Sequence, residues 1–307
     1  MGSSVDVVIP IYKAGNDFAS MLEKLYKQSK RPEHIYLLQT IEKKDEKLFD
    51  IKKCSKELAD IISVHPIKKA DFDHGATRAY GALMAESDYV LFMTQDAVCY
   101  DEYVIENLLK AFDDRKVGIS YARQLAREDA DEIERMTRET NYPPESVVKT
   151  KKDEKRLGIK TYFCSDVCAM YRLDVYKKLG GFVKKTIFNE DMIMAYKEMQ
   201  AGFSVAYRAD AKVIHSHSYT CKQQFVRSFD LGVSQRQYHE IFDSEKEGAG
   251  YAKKVIIYLL KKGKFIKTIY FMMQCGFRLI GYKLGKNYDK LPRKMVLACT
   301  MNRAYWK

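Results

Sequence analysis

The chain alternates short apolar runs with amphipathic stretches, and this alternation constrains its fold more than any other feature. Val5-Asp6-Val7-Val8-Ile9-Pro10, His34-Ile35-Tyr36-Leu37-Leu38, Ile61-Ile62-Ser63-Val64 and Tyr89-Val90-Leu91-Phe92-Met93 are short, largely apolar and rich in β-branched or aromatic residues. Such lengths suit strands rather than helices, and apolar side chains on both faces mean burial on both faces. Between these runs, residues 16–27 place Phe18, Met21, Leu22 and Leu25 on one helical face. Residues 43–60 are charged and read as helical, and Ala76–Ala85 reads as a helix after Gly75. Strand and helix in turn predict an α/β fold: a Rossmann-like, mainly parallel sheet with helices on both faces.

The second half continues in the same manner. A helix is predicted over 102–112, a strand over 118–122, a strand over 167–171 leading into a helix at 173–179, and a helix over 192–199. Short strands are predicted at 206–207 and 211–214, with His215-Ser216-His217 after the second. Residues 127–156 are charged and contain Pro143-Pro144, which reads as a loop or helical excursion, either an acceptor-binding lid or a solvated linker. In open α/β sheets ligands bind beyond the carboxyl ends of the strands. Thr94-Gln95-Asp96 stands at such an end.

Charge is unevenly placed. Residues 251–307 carry fourteen Lys and Arg against one acid, a net of +13, whereas the whole chain of 307 residues carries +12, so the first 250 residues sum to about −1. A near-neutral body with a basic tail points to docking on an acidic partner. In that tail Val255–Leu260 and Phe265–Met273 are strongly apolar between lysines and predict amphipathic helices. Such helices can lie in a membrane interface or pack on the body. No apolar run reaches the roughly 20 residues that span a bilayer. Seven scattered cysteines with no Cys-x-x-Cys pair argue against a disulfide framework or zinc site and fit a cytoplasmic protein. The chain enters a strand almost at once, which predicts no signal peptide.

An ordered series of motifs resembles the family 2 glycosyltransferases of the GT-A fold, in particular the bacterial rhamnosyltransferase type. The series runs through Val5–Tyr12, Phe72-Asp73-His74-Gly75-Ala76-Thr77-Arg78, Met93-Thr94-Gln95-Asp96-Ala97, Asn189-Glu190-Asp191, His215-Ser216-His217-Ser218-Tyr219 and Arg227-Ser228-Phe229-Asp230-Leu231-Gly232. It closes on Gly281-Tyr282-Lys283-Leu284-Gly285-Lys286 and Tyr305-Trp306. The resemblance implies a metal-dependent, inverting enzyme that uses dTDP-β-L-rhamnose and a lipid-linked or polysaccharide acceptor. It implies donor contacts from Pro10, Tyr12, His74, Gly75, Thr94, Gln95 and Asp96. Gln39 stands where many members carry an Asp that contacts the base, and its amide can hydrogen-bond a pyrimidine edge.

Physical chemistry agrees with these roles. Charge grows on the departing diphosphate, and Mg²⁺ or Mn²⁺ bound by few protein ligands can stabilise it. Asp96 is the expected direct ligand and His215 the second, with His217 in reserve because i, i+2 positions share a strand face. Arg78 can pair with the pyrophosphate through its planar fork, or form a surface salt bridge. Asp191 is the expected general base, supported by Glu190, which can also cap a helix N-terminus. Arg227 and Asp230 share a helix face and are expected on the acceptor side as an ion pair. The division expected is a catalytic domain over residues 1–245 and a basic helical region over 246–307 that docks on the inner face of the cell membrane. A UDP-hexose transferase is the alternative. A nucleic-acid-binding protein is the remote one, since the tail's aromatics sit in apolar helical settings.

Overall fold

The computed structural model describes residues 3–242 and 249–307. The chain divides into two compact units, one of Met1–Ala130, Thr137–Lys185 and Glu190–Ser216, the other of Asp131–Met136, Thr186–Asn189 and His217–Lys307. The domain boundary expected at 245/246 lies outside the described residues.

The first unit is built on a nine-stranded sheet. Its strands are β1 (Val5–Ile11), β2 (His34–Ile41), β3 (Ile62–Lys68), β4 (Tyr89–Met93), β5 (Val98–Cys99), β6 (Val117–Leu125), β7 (Val147–Lys149), β8 (Cys168–Arg172) and β9 (Ser204–Ile214). They run in the order β3-β2-β1-β4-β8-β6-β9-β5, with β7 also paired to β9. β1 through β4 are mutually parallel, as their two-sided apolarity predicts. Beyond β4 the sheet is mixed: β8 is antiparallel to both β4 and β6, while β6 and β9 are parallel.

Helices α1 (Phe18–Tyr26), α2 (Lys56–Ala59), α3 (His74–Met84), α4 (Val104–Leu109), α5 (Glu132–Asn141), α6 (Glu154–Leu157), α7 (Leu173–Lys178) and α8 (Glu190–Gln200) complete this half of the chain. On one sheet face Val5, Val7, Ile9 and Ile11 of β1 share a buried cluster with Phe18, Met21, Leu22 and Leu25 of α1. On the other, α3 approaches β1 so closely that a Cβ on Gly81 would lie 2.4 Å from a Val8 methyl. Phe92, Tyr171, Tyr176 and Phe182 form a ring cluster with centroids 5.0–5.9 Å apart.

Three local expectations change. Residues 43–60 are mostly irregular, with a 3-10 turn at Ile51–Lys53 and only α2 as α-helix, because their charges lack an apolar stripe to bury. The segments at 206–207 and 211–214 are one strand, β9, whose pairing with β6 slips at Ala122/Arg123. The excursion at 127–156 is structured: it contains α5, α6 and β7, the last hydrogen-bonded to β9.

The second unit contains α9 (Cys221–Gln237), α10 (His239–Phe242), α11 (Ala249–Lys261), α12 (Phe265–Lys286) and α13 (Arg293–Cys299). Its core joins Ile187, Phe229, Val233, Val296 and Cys299. α9 and α12 touch backbone to backbone. A Cβ on Gly285 would lie 2.0 Å from the Phe229 carbonyl oxygen, one on Gly281 2.3 Å from that of Phe225, and one on Gly232 2.4 Å from that of Tyr282. The three glycines are what permit this approach. No helix of the described residues is long and apolar enough to cross a membrane.

Candidate active site

The ends of β1 and β4 are tied together by one side chain. Gln95 accepts a hydrogen bond from the Tyr12 N–H at 2.7 Å and donates to the Tyr12 carbonyl at 3.1 Å. The Tyr12 hydroxyl donates to Glu42 and accepts from Lys69 at 2.8 Å. Lys69 and Lys13 lie 2.8 and 3.2 Å from Glu42, and these bonds pull the Glu42 carboxyl down to about 2. Pro10 lies in β1 opposite Leu38 of β2. Gln39 is buried with both ends of its amide engaged: it donates to the Lys47 carbonyl at 3.1 Å and accepts from the Phe49 N–H at 2.6 Å. It therefore holds the segment after β2 in place, and one donor and one acceptor site of the amide foreseen for a base edge are engaged by backbone.

Asp96 and His215 are brought together by β5. Val98 pairs with Ile214 and Cys99 with Val213, so the turn after β4 runs beside the end of β9. His215 Nε2 lies 3.6 Å from Asp96 Oδ1, and the two side chains are among those that could hold a metal ion. Asp96 is exposed and His215 buried. His215 Nδ1 is 2.9 Å from Gln124 Oε1. The orientation of Gln124 is set elsewhere, because its Nε2 donates to the Tyr142 hydroxyl at 2.6 Å and to Ser165 Oγ at 2.9 Å, and its Oε1 also accepts from Arg138. Gln124 thus offers an acceptor to Nδ1, which places the proton there and leaves the Nε2 lone pair facing Asp96. One carboxylate oxygen and one imidazole nitrogen form a donor pair that a divalent cation can use. Thr94 caps the same turn through its carbonyl, which accepts from Ala97 N–H at 3.1 Å. His217 begins the second unit; its N–H donates to Glu134 at 2.8 Å and its ring lies 5.2 Å from Tyr219.

Acidic groups gather at the start of α8. Glu190 Oε1 accepts from Arg78 Nη1 at 2.6 Å. Asp191 Oδ1 accepts from the Met192 N–H at 2.7 Å and Oδ2 from the Asp166 N–H at 3.3 Å. Burial, then the neighbouring Glu190 charge, push the Asp191 carboxyl up to about 7, against the pull of those N–H groups and Arg78. A carboxylate that gains and loses its proton near neutral pH is suited to accept one from a hydroxyl. Asp166 and Gln124 are participants that motif reading does not single out.

α3 begins at His74, whose ring meets Phe72 edge-on at 5.0 Å, and Asp73 caps it by accepting from the Ala76 N–H at 3.0 Å. Gly75 lets the helix start approach its neighbours: a Cβ there would lie 2.7 Å from the Val183 carbonyl oxygen and 3.4 Å from the Glu190 Cβ. Arg78 is buried on this helix and meets carboxylates; the ion pair is an interior one, not the surface salt bridge that the sequence offered as the alternative.

In the second unit Arg227 stacks over Phe188 and Tyr219, with centroids at 4.9 and 5.3 Å. Asp230 instead accepts from the Thr300 hydroxyl at 2.7 Å and the Met301 N–H at 2.9 Å, and burial raises its carboxyl to about 6. The two share a helix face, but their close partners are aromatic rings and the C-terminal segment rather than each other.

A sheet that is parallel up to β4, with an Asp turn beside a His at its carboxyl edge and a carboxylate at a neighbouring helix start, defines a nucleotide-sugar transferase architecture. The model of glycosyl transferase family 2 matches residues 6–180, and the chain belongs to that family. It is a glycosyltransferase. It is 36% identical to the O-antigen chain rhamnosyltransferase RfbN of Salmonella typhimurium, over 98% of this chain and 96% of that protein. It is 35% identical to the O-antigen chain rhamnosyltransferase WbaN of Salmonella anatum, over 99% and 96%. Its fold is similar to that of the mannosyltransferase PcManGT from Pyrobaculum calidifontis in complex with GDP-Man and Mn²⁺, with a TM-score of 0.61, 13% identity, and coverage of 95% of this chain and 89% of that one. It is also similar to S. aureus TarS 1-349 in complex with UDP-GlcNAc, with a TM-score of 0.54, 11% identity, and coverage of 94% and 91%.

Proposed function

We propose that the enzyme transfers L-rhamnose from dTDP-β-L-rhamnose, with inversion, to a lipid-linked or polysaccharide acceptor during surface-polysaccharide synthesis. The observation that carries this reading is identity above a third, over nearly the whole chain, to two proteins named as O-antigen chain rhamnosyltransferases. Asp191 takes the proton of the acceptor hydroxyl as its oxygen bonds to the anomeric carbon. The bond from that carbon to the diphosphate oxygen breaks on the opposite face, and dTDP leaves. Glu190 supports Asp191 from the same helix start. Asp96 and His215 would hold Mg²⁺ or Mn²⁺, with His217 in reserve two residues along the chain. Such a cation, when bound, offsets the charge that grows on the diphosphate. Pro10, Tyr12, His74, Gly75, Thr94 and Gln95 line the donor side, and Gln39 supports it by holding residues 47–49.

The 246–307 region docks the enzyme on the anionic inner face of the cell membrane. Supporting this, α12 presents Phe265, Ile266, Ile269, Met272, Met273, Leu279 and Ile280 to solvent, with Ile266 85% exposed. No acid occurs between residues 249 and 288. A second copy of this chain on the same face would set cation against cation, whereas anionic lipid satisfies both the apolar and the basic groups. The test of the catalytic reading is release of dTDP from dTDP-rhamnose by the purified full chain with Mn²⁺ or Mg²⁺. Asp191→Asn should abolish release and leave dTDP binding intact; an active Asp191→Asn enzyme would remove Asp191 from the mechanism.

A further inference from the structure

Arg78 is the guanidinium that faces an unusually acidic interior. It is 5% exposed. Its Nη1 is bonded to Glu190 at 2.6 Å, and its Nε lies 3.7 Å from Asp166 Oδ2. Asp166 is itself 3% exposed, accepts from the Tyr171 hydroxyl at 2.7 Å, and passes its own N–H to Asp191. Neither Arg78 Nε nor Asp166 Oδ2 has a hydrogen-bond partner among the described residues. The groups acting on Asp191 are therefore Glu190 on its own helix, Arg78 from α3, Asp166 and Cys164 from the segment before β8, Tyr171 from β8, and Tyr142.

Three carboxylates and one guanidinium leave a net charge of −2 if every group is ionised. Burying two uncompensated charges is far too costly, so the cluster keeps a proton. With Glu190 satisfied by the short ion pair, that proton is left to Asp166 and Asp191, buried neighbours whose ionisations oppose each other. A diphosphate reaching Arg78 would meet a buried guanidinium already held by Glu190 at 2.6 Å, with Asp166 3.7 Å from its Nε.

We propose that Arg78 is a positioning residue for the base rather than a ligand of the donor: it pins Glu190 at the start of α8, and its charge keeps Asp191 ionised while Asp166 carries the shared proton. This rests on the reading of Asp191 as the general base. The experiment is the pH profile of dTDP release from dTDP-rhamnose, with dTDP affinity measured separately, for wild type, Arg78→Gln, Arg78→Lys and Asp191→Asn. Arg78→Gln should move the acid limb at least one pH unit upward and lower the rate near pH 7 by about fivefold or more, with recovery at higher pH. Its dTDP affinity should stay within twofold. Arg78→Lys, which keeps a charge but loses the fork, should shift the limb less. An unmoved limb with a tenfold loss of dTDP affinity would assign Arg78 to the diphosphate and overturn the proposal.

If Arg78→Gln does not fold, Asp166→Asn decides. It removes one of the two like groups without changing shape, so the acid limb should stay or move to lower pH, whatever the height of the plateau. A limb that moves upward overturns the proposal. An active Asp191→Asn enzyme would sink the base reading itself, whereas an inactive one beside an unshifted Arg78→Gln sinks only the role of Arg78.

Discussion

Glu198 should make the protein less stable as pH rises. It lies in α8 with no exposed surface, and neither carboxylate oxygen has a hydrogen-bond partner among the described residues. It fits only because residue 118 is glycine; a Cβ there would sit 1.7 Å from Glu198 Oε2. Burial raises its carboxyl from 4.5 to about 8, with Arg172 opposing the rise. A folded-state value above the unfolded one means that the stability it leaves intact is fully present below about pH 4.5. That stability is lost as pH climbs toward 8. At 1.36 kcal/mol per pH unit, the span between the two values amounts to ~5 kcal/mol. Glu198→Gln removes the ionisation and keeps the shape. Urea unfolding at about pH 5 and about pH 8.5 should find the two proteins alike at the lower pH and the variant more stable by several kcal/mol at the higher. A difference that does not change with pH would refute the argument.

Other consequences are equally direct. Gln124→Leu removes the Gln124 acceptor from His215 Nδ1 and should weaken Mn²⁺ affinity, read by titration calorimetry, by roughly 10- to 100-fold. Gly285→Ala would drive a methyl against the Phe229 carbonyl and should destabilise by about 3 kcal/mol. Gly276→Ala in the same helix, with nothing within 4 Å, should stabilise by ~0.5–1 kcal/mol in the same denaturation assay. Ile266→Glu with Ile269→Glu should cut binding to phosphatidylglycerol vesicles at least tenfold without altering dTDP release, whereas binding to DNA rather than vesicles would favour the nucleic-acid reading of the tail.

The strands of the first half are legible in the sequence because burial on both faces leaves each an unbroken apolar run, as in β4. The strand β8 is legible too, but its antiparallel direction is not, since Cys168–Arg172 would read the same in either direction and its neighbours are set by long-range pairing. The division of β9 into two segments follows from the polar Arg208 and Asp210, which in the fold bond to each other at 2.9 and 2.6 Å on the strand surface. Asp96 and His215 are readable as strand-end polar residues, but their meeting depends on β5, only two residues long. Gln124 carries a faint signal, a carboxamide near the end of an otherwise buried strand. Asp166 carries none, because a lone Asp before a strand is ordinarily a turn residue. Arg78 and Gln39 illustrate the limit: residue type announces hydrogen-bonding capacity, and only tertiary structure tells that Glu190, Lys47 and Phe49 consume it.

The docking proposed for residues 246–307 accords with their basic character, which suits an anionic lipid surface. The basic count itself is only partly free: Lys264 and Lys267 pair with Glu132 and Asp131. The contribution of apolar surface to docking is correspondingly larger, since α12 alone exposes Phe265 by 64% and Ile269 by 61%.

The most direct test of the account is nucleotide release by the purified full chain from a panel of nucleotide sugars with Mg²⁺ or Mn²⁺, wild type beside Asp96→Ala. Metal-dependent release from dTDP-rhamnose, absent with UDP-hexoses and lost in Asp96→Ala, is the predicted result. Release from a UDP-hexose in preference, or a rate that Asp96→Ala and chelation leave unchanged, would contradict it.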